Sequence, residues 1–130
     1  MNQSIHQEVV YEAEPAAVFA YLTDAKRFTA MSGGANADID ATAGGAFSCF
    51  GGMVSGRFIE CEPGHRLVQA WRVEGWEPGI YSIVRVELKR EADKTRLVLD
   101  HVGFPAGKAE HLGAGWHQNY WEPLRKALGA

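Results

Sequence analysis

With 130 residues and a formal net charge of −3, the chain fits one domain large enough to bury its own core. Hydrophobic residues at 46% and charged residues at 22% exclude a disordered or fibrous chain. The longest basic cluster is Arg125-Lys126, so the phosphate-binding footprint of a nucleic-acid partner is missing, and no apolar run approaches the roughly 20 residues that span a bilayer.

The N-terminus, MNQSIHQEVV, has neither a basic n-region nor an apolar h-region, which places the protein in the cytoplasm as an expectation. In that compartment Cys49 and Cys61 read as reduced small hydrophobes, and the Asn2-Gln3-Ser4 glycosylation triplet has no role.

From Ile5 to Glu12 the chain alternates, with Ile5, Gln7, Val9 and Tyr11 on one face, and predicts a half-buried strand. Pro15 opens a short helix holding Val18, Phe19 and Leu22, and Asp24 caps a second short turn around Phe28. After the glycine- and alanine-rich Met31 to Asn36, strand and turn signals run to His101. The predicted strands are Ala37–Ala41, Ala46–Phe50, Val54–Cys61, Arg66–Val73, Ile80–Arg90 and Thr95–Val102, separated by Gly44-Gly45, Gly51-Gly52, Glu62-Pro63-Gly64 and Glu91 to Lys94. Consecutive hairpins make an antiparallel meander.

Lys108 to Leu128 is the one stretch long enough for a major helix. Leu112, Trp116, Tyr120, Leu124 and Ala127 recur at helical spacing on one apolar, aromatic face. Pro123 lacks an N–H and should bend the helix about one turn earlier. Trp116 and Tyr120 then belong to a ligand-facing first half, and Leu124 and Leu128 to plain core. The order of elements defines an α+β fold: a curved antiparallel sheet of about seven strands, two short helices after strand one, and a long C-terminal helix. A sheet curled around one helix leaves space where its strands diverge, so a cavity is expected between them.

The residues resemble the SRPBCC or START-like superfamily with the helix-grip fold, in the branch related to the activator of heat-shock-protein-90 ATPase. The likeness is carried by Val18 to Asp24 after Pro15, Gly44-Gly45-Ala46-Phe47, Gly56 to Pro63 with Arg66-Leu67-Val68, Thr95 to His101, and Gly115-Trp116. It spans nearly the whole chain as a single domain, residues 1–130. The resemblance implies a deep apolar cavity against the C-terminal helix and a hydrophobic or amphipathic ligand; the fold alone names no particular one. Many relatives carry a tryptophan just after the second short helix. Here that region reads Phe28 to Gly34 instead, which implies a wider pocket mouth.

Catalytic signatures are sparse. His111 and His117 sit about 120° apart round a helix; no Cys-x-x-Cys or His-Glu-x-x-His occurs, so neither a metal nor another cofactor is expected. No Gly-x-Ser-x-Gly and no phosphate loop occurs either. His101, at the end of the last strand, and Glu60 are the candidate general bases; the structural alternative for His101 is a hydrogen bond tying the strand end to the 103–107 loop. Glu60 and Arg72, on neighbouring strands, are a candidate ion pair inside the cavity, with ordinary surface pairing as the plain alternative.

Phe47, Phe50, Trp71, Trp116 and Tyr120, with Leu112, His101 and an entrance residue Trp76, form the expected ligand-binding set; core packing is the plain reading of each ring taken singly. Three functions follow in order: a protein binding a small hydrophobic ligand, a cyclase or hydrolase using the same cavity, and a chaperone-associated stress protein. The last ranks third because only the domain shared with that activator is recognised here. A monomer or a homodimer both fit a sheet with exposed edges.

Overall fold

The computed structural model describes residues 3–129; Asn2 of the glycosylation triplet lies outside them. Seven strands form one antiparallel sheet in the order β1-β7-β6-β5-β4-β3-β2. They are β1 (Ser4–Tyr11), β2 (Asp38–Ile39), β3 (Ala46–Cys49), β4 (Val54–Glu62), β5 (Arg66–Val73), β6 (Ser82–Glu91) and β7 (Lys94–Val102). Two short helices, α1 (Pro15–Thr23) and α2 (Ala25–Met31), follow β1, and Asp24 caps α2 by accepting from the Arg27 N–H at 3.1 Å. All the predicted elements are present in the predicted order.

Strand ends depart from expectation for local reasons. Phe50 leaves β3 because its backbone turns left-handed at φ 55°, a conformation few side chains adopt, and starts a tight 3-10 turn over Phe50–Gly52. β6 begins at Ser82 rather than Ile80, since the Arg72 guanidinium gathers the carbonyls of Trp76 (2.7 Å), Glu77 (3.1 Å) and Ile80 (3.3 Å) into the preceding loop. Gly56, paired with Phe47 and Trp71, has no room for a Cβ: one would stand 1.8 Å from the Ala70 carbonyl oxygen and 2.9 Å from the Phe47 ring.

The C-terminal helix has three parts: α3 (Ala109–Trp116), a π-helical segment (His117–Trp121) and α4 (Glu122–Leu128). Pro123 stands in the first turn of α4, so the break falls where its missing N–H predicts. Across the π segment the Glu122 N–H reaches back to the His117 carbonyl, and the wider turn brings residues four and five apart onto one face. Trp116, Tyr120 and Trp121 therefore all face the sheet. Their rings pack at 4.3 Å (Trp116–Tyr120) and 5.3 Å (Trp116–Trp121) between centroids.

Gln7, the polar residue on the inward face of β1, braces this break. Its amide donates to the Gly113 carbonyl at 3.0 Å and accepts the Trp121 indole N–H at 2.7 Å. Tyr11, also from β1, donates to the Trp121 carbonyl at 2.8 Å.

Candidate functional site

Sheet and helix do not enclose a large cavity. The space between them is filled by Phe28, Phe47, Phe58, Tyr120 and Trp121, leaving a void of about 20 Å³, room for one water. Phe28 closes it from the α2 side, edge-on to Phe50 at 5.4 Å and to Tyr120 at 5.7 Å. Open volume lies outside that layer, part of it at one end of the domain. There a cleft of about 520 Å³ runs between α3 with the π segment on one wall, and Met53, Val54 and the Val73–Trp76 turn on the other.

Six of the eight expected ligand-binding residues line this cleft: Phe50, Trp71, Trp76, Leu112, Trp116 and Tyr120. From the final helix every lining residue comes from α3 or the π segment, preceded by Lys108, and none from α4. Phe47 belongs to the filled interior. Met53, Glu74, Lys108, His111 and Asn119 complete the rim and were not singled out for it; each is exposed, and exposure of a single residue carries no sequence signal.

His101 lies behind the cleft wall, fully buried. The Trp116 indole N–H donates to its Nδ1 at 3.1 Å, so the ring proton sits on Nε2 and is given to Ser82 Oγ at 2.7 Å; Ser82 in turn donates to the Trp71 carbonyl at 2.9 Å. Burial pushes the imidazole pKa down to about 4. The pair has the spacing of a serine nucleophile and its base, yet the proton assignment is reversed: a nitrogen already donating to the hydroxyl cannot deprotonate it. His101 is a bracket joining β5, β6, β7 and α3, and it also takes the Phe104 ring edge-on at 5.1 Å. Phe104 thus supplies the tie to the 103–107 loop.

Glu60 and Arg72 do not pair. Glu60 lies opposite Val68 and binds Arg66 at 2.6 Å, whereas Arg72 lies opposite Ser55, holds the loop carbonyls and stands 5.6 Å from the Tyr81 ring. The strands are neighbours as expected, but the register separates the two residues along them. Cys49 and Cys61 are free thiols, and burial pushes Cys49 up to about 12, away from nucleophilic use. Among the described residues no group of three or more His, Cys, Asp or Glu is placed to hold a metal ion, and no helix is long and apolar enough to cross a membrane.

A sheet gripping one broken C-terminal helix, with an aromatic cleft at its end, defines a helix-grip domain of the SRPBCC class. The chain belongs to the activator of Hsp90 ATPase homolog 1-like family, whose model matches residues 12–129. A Plasmodium falciparum structure described as an HSP90 activator, PFC0360w, superposes with a TM-score of 0.92 at 33% identity, covering 97% of this chain and 96% of that one. An uncharacterised Schizosaccharomyces pombe protein, C1711.08, is 28% identical over 96% of this chain and 37% of its own length. Mouse activator of 90 kDa heat shock protein ATPase homolog 2 is 28% identical over 69% of this chain and 27% of its own. The chain therefore spans well under half the length of these two relatives.

Proposed function

We propose that the protein works on a macromolecular partner, as a co-chaperone module of an Hsp90-class ATPase. One observation carries this reading: the likeness to the Plasmodium chain named as an HSP90 activator runs end to end in both chains. A domain of this extent is thus enough to match that relative, which raises the chaperone reading above its third place on sequence grounds. The closed interior of about 20 Å³ supports it further, because a buried-ligand carrier needs a hollow core. On the outer sheet face, exposed Ile83 lies opposite exposed Val102, with Ile80 and Tyr81 beside them, an apolar patch suited to a partner. The test is the ATPase rate of the Hsp90-class protein from the same host with and without this chain. Stimulation together with co-elution supports the reading; an unchanged rate and no co-elution at concentrations up to about 100 µM sink it.

The second reading is a small hydrophobic or amphipathic ligand held in the end cleft. Its support is the cleft itself, whose volume of about 520 Å³ and aromatic walls match those of ligand pockets. Native mass spectrometry of protein purified from its host, and displacement of a fluorescent fatty acid, test it. No bound mass and no displacement by any apolar probe would count decisively against it.

A further inference from the structure

The two edges of the sheet are finished differently. At one edge β2 is two residues long, too short to template another strand, whereas β1 at the other edge runs for eight residues in unbroken register with β7. A long edge invites a further strand unless proline, a bulge or an inward-pointing charge blunts it, and β1 carries none of these.

The groups presented along this edge follow from the ladder. The β6–β7 hairpin closes on the Glu91–Lys94 pair through two residues, so Lys94 bonds to β6 and Thr95 turns its N–H and C=O towards β1. Alternation along the register then commits Ile5, Gln7, Val9 and Tyr11 to β7 and points the backbone groups of Ser4, His6, Glu8 and Val10 outward. Arg125 agrees with this direction, because it donates to the Val10 carbonyl at 3.2 Å from α4. That contact caps one end of the edge, and the backbone groups of His6 and Glu8 bond to no other described residue.

The side chains read symmetrically about Gln7: His6 and Glu8 flank it on the outer face, Ile5 and Val9 on the inner. His6 is cationic here. Both its ring nitrogens meet carboxylates, Asp100 at 2.7 Å and Glu8 at 2.8 Å, and a carboxylate only accepts, so both nitrogens donate. Antiparallel pairing of β1 with another β1 about His6 would set two histidines against each other, and pairing about Glu8 would set two carboxylates together. Pairing about Gln7 instead sets His6 opposite the partner's Glu8 and Ile5 opposite the partner's Val9. Each histidine then stands between two carboxylates and each of those carboxylates between two histidines. Val9 faces inward yet is only half-buried, which leaves apolar surface for the pairing to cover.

We propose that the chain forms a two-fold symmetric dimer by antiparallel pairing of β1 with the β1 of a second copy about Gln7, joining two seven-stranded sheets into one. Each His6 pair with the partner's Glu8 exchanges both its backbone hydrogen bonds. The contact is one strand wide, so its dissociation constant is on the order of 10–100 µM. The dimer rests on neither functional reading above.

Sedimentation velocity of the whole chain at about pH 6, where His6 is charged, tests it between about 5 µM and 1 mM. The mass should rise from 14.2 kDa towards its double, and amide exchange at His6 and Glu8 should slow with it. His6→Glu and Glu8→Lys should each weaken the dimer about tenfold or more by setting like charges opposite. An equimolar mixture of these two variants should dimerise again, because the acidic edge of one meets the basic edge of the other. Glu8→Pro removes only an outward N–H and should abolish dimerisation, with near-ultraviolet circular dichroism confirming that each variant is folded. A mass that stays at 14.2 kDa throughout, a mixture that stays monomeric, or a dimer that persists in folded Glu8→Pro overturns the proposal. So does a dimer lost instead in Ile83→Glu, which belongs to the outer sheet face. Protection of His6 and Glu8 that appears only with an Hsp90-class protein also overturns it and gives the edge to a strand of that partner.

Discussion

The Trp116 indole N–H donates to His101 Nδ1 at 3.1 Å, and this contact decides the chemistry of the histidine. A neutral ring accepts at Nδ1 and donates at Nε2; a protonated ring can do only the second. The helix that closes the domain is thus pinned to the end of β7 by a bond that exists only while His101 is uncharged.

Replacing His101 by Leu orphans the Trp116 N–H inside the protein and costs about 3 kcal/mol. Urea unfolding would read this as a lower midpoint with an unchanged slope. A loss below about 0.5 kcal/mol would mean that the bracket carries no stability.

Two histidines give the pH profile opposite slopes. The folded pKa of His101 lies below the ordinary 6.5, so the unfolded chain binds more protons between about pH 4 and 6.5, and stability falls as pH drops through that window, by about 3 kcal/mol in all. His6 lies on the outer sheet face with both ring nitrogens on carboxylates, Asp100 at 2.7 Å and Glu8 at 2.8 Å, and these bonds raise its pKa. Its contribution is complete below 6.5 and is lost as pH rises through the folded value. Thermal midpoints should therefore peak near neutrality, and His6→Gln should flatten only the alkaline limb.

Gln7→Ala should cost about 2 kcal/mol, because it strands the Gly113 carbonyl and the Trp121 indole together. Amide exchange should speed up first at residues 117–122, where the π segment has lost its brace. Uniform acceleration along the whole helix would contradict the bracing role.

Phe28→Ala should turn the void of about 20 Å³ into a dry apolar cavity, at a cost of about 3–5 kcal/mol. Benzene or xenon should raise the melting temperature of this variant and leave the wild type unmoved. Equal stabilisation of both would show that Phe28 does not seal the interior.

Much of the fold was legible because its signals are local. Alternation in β1, the glycine-pair turns, Pro15, and the Asp24 cap each act within a few residues. Trp121 was not legible: five places after Trp116 it falls about 140° away on a regular helix, and only the π segment turns it inward. The resemblance and the curvature argument led to a hollow core, but the sizes of Phe28, Phe47, Phe58 and Trp121 had to be seen packed together before it could be known to be full. The partners of His101 are equally remote from any local signal, since Ser82 and Trp116 meet it only through the β6–β7 register and the docking of α3. Gln7 did leave a trace, as a polar side chain on an otherwise apolar strand face, where burial requires a partner.

Trp116 and Tyr120 line both the interior void and the end cleft. The partition between closed core and open slot is therefore a single layer of rings, hung from the end of α3 and from the π segment and not built from backbone. The depth to which any occupant can reach is set by the rotamers of two side chains, so the domain's capacity can be enlarged from inside by substitutions that leave its outline and its seven-stranded sheet intact.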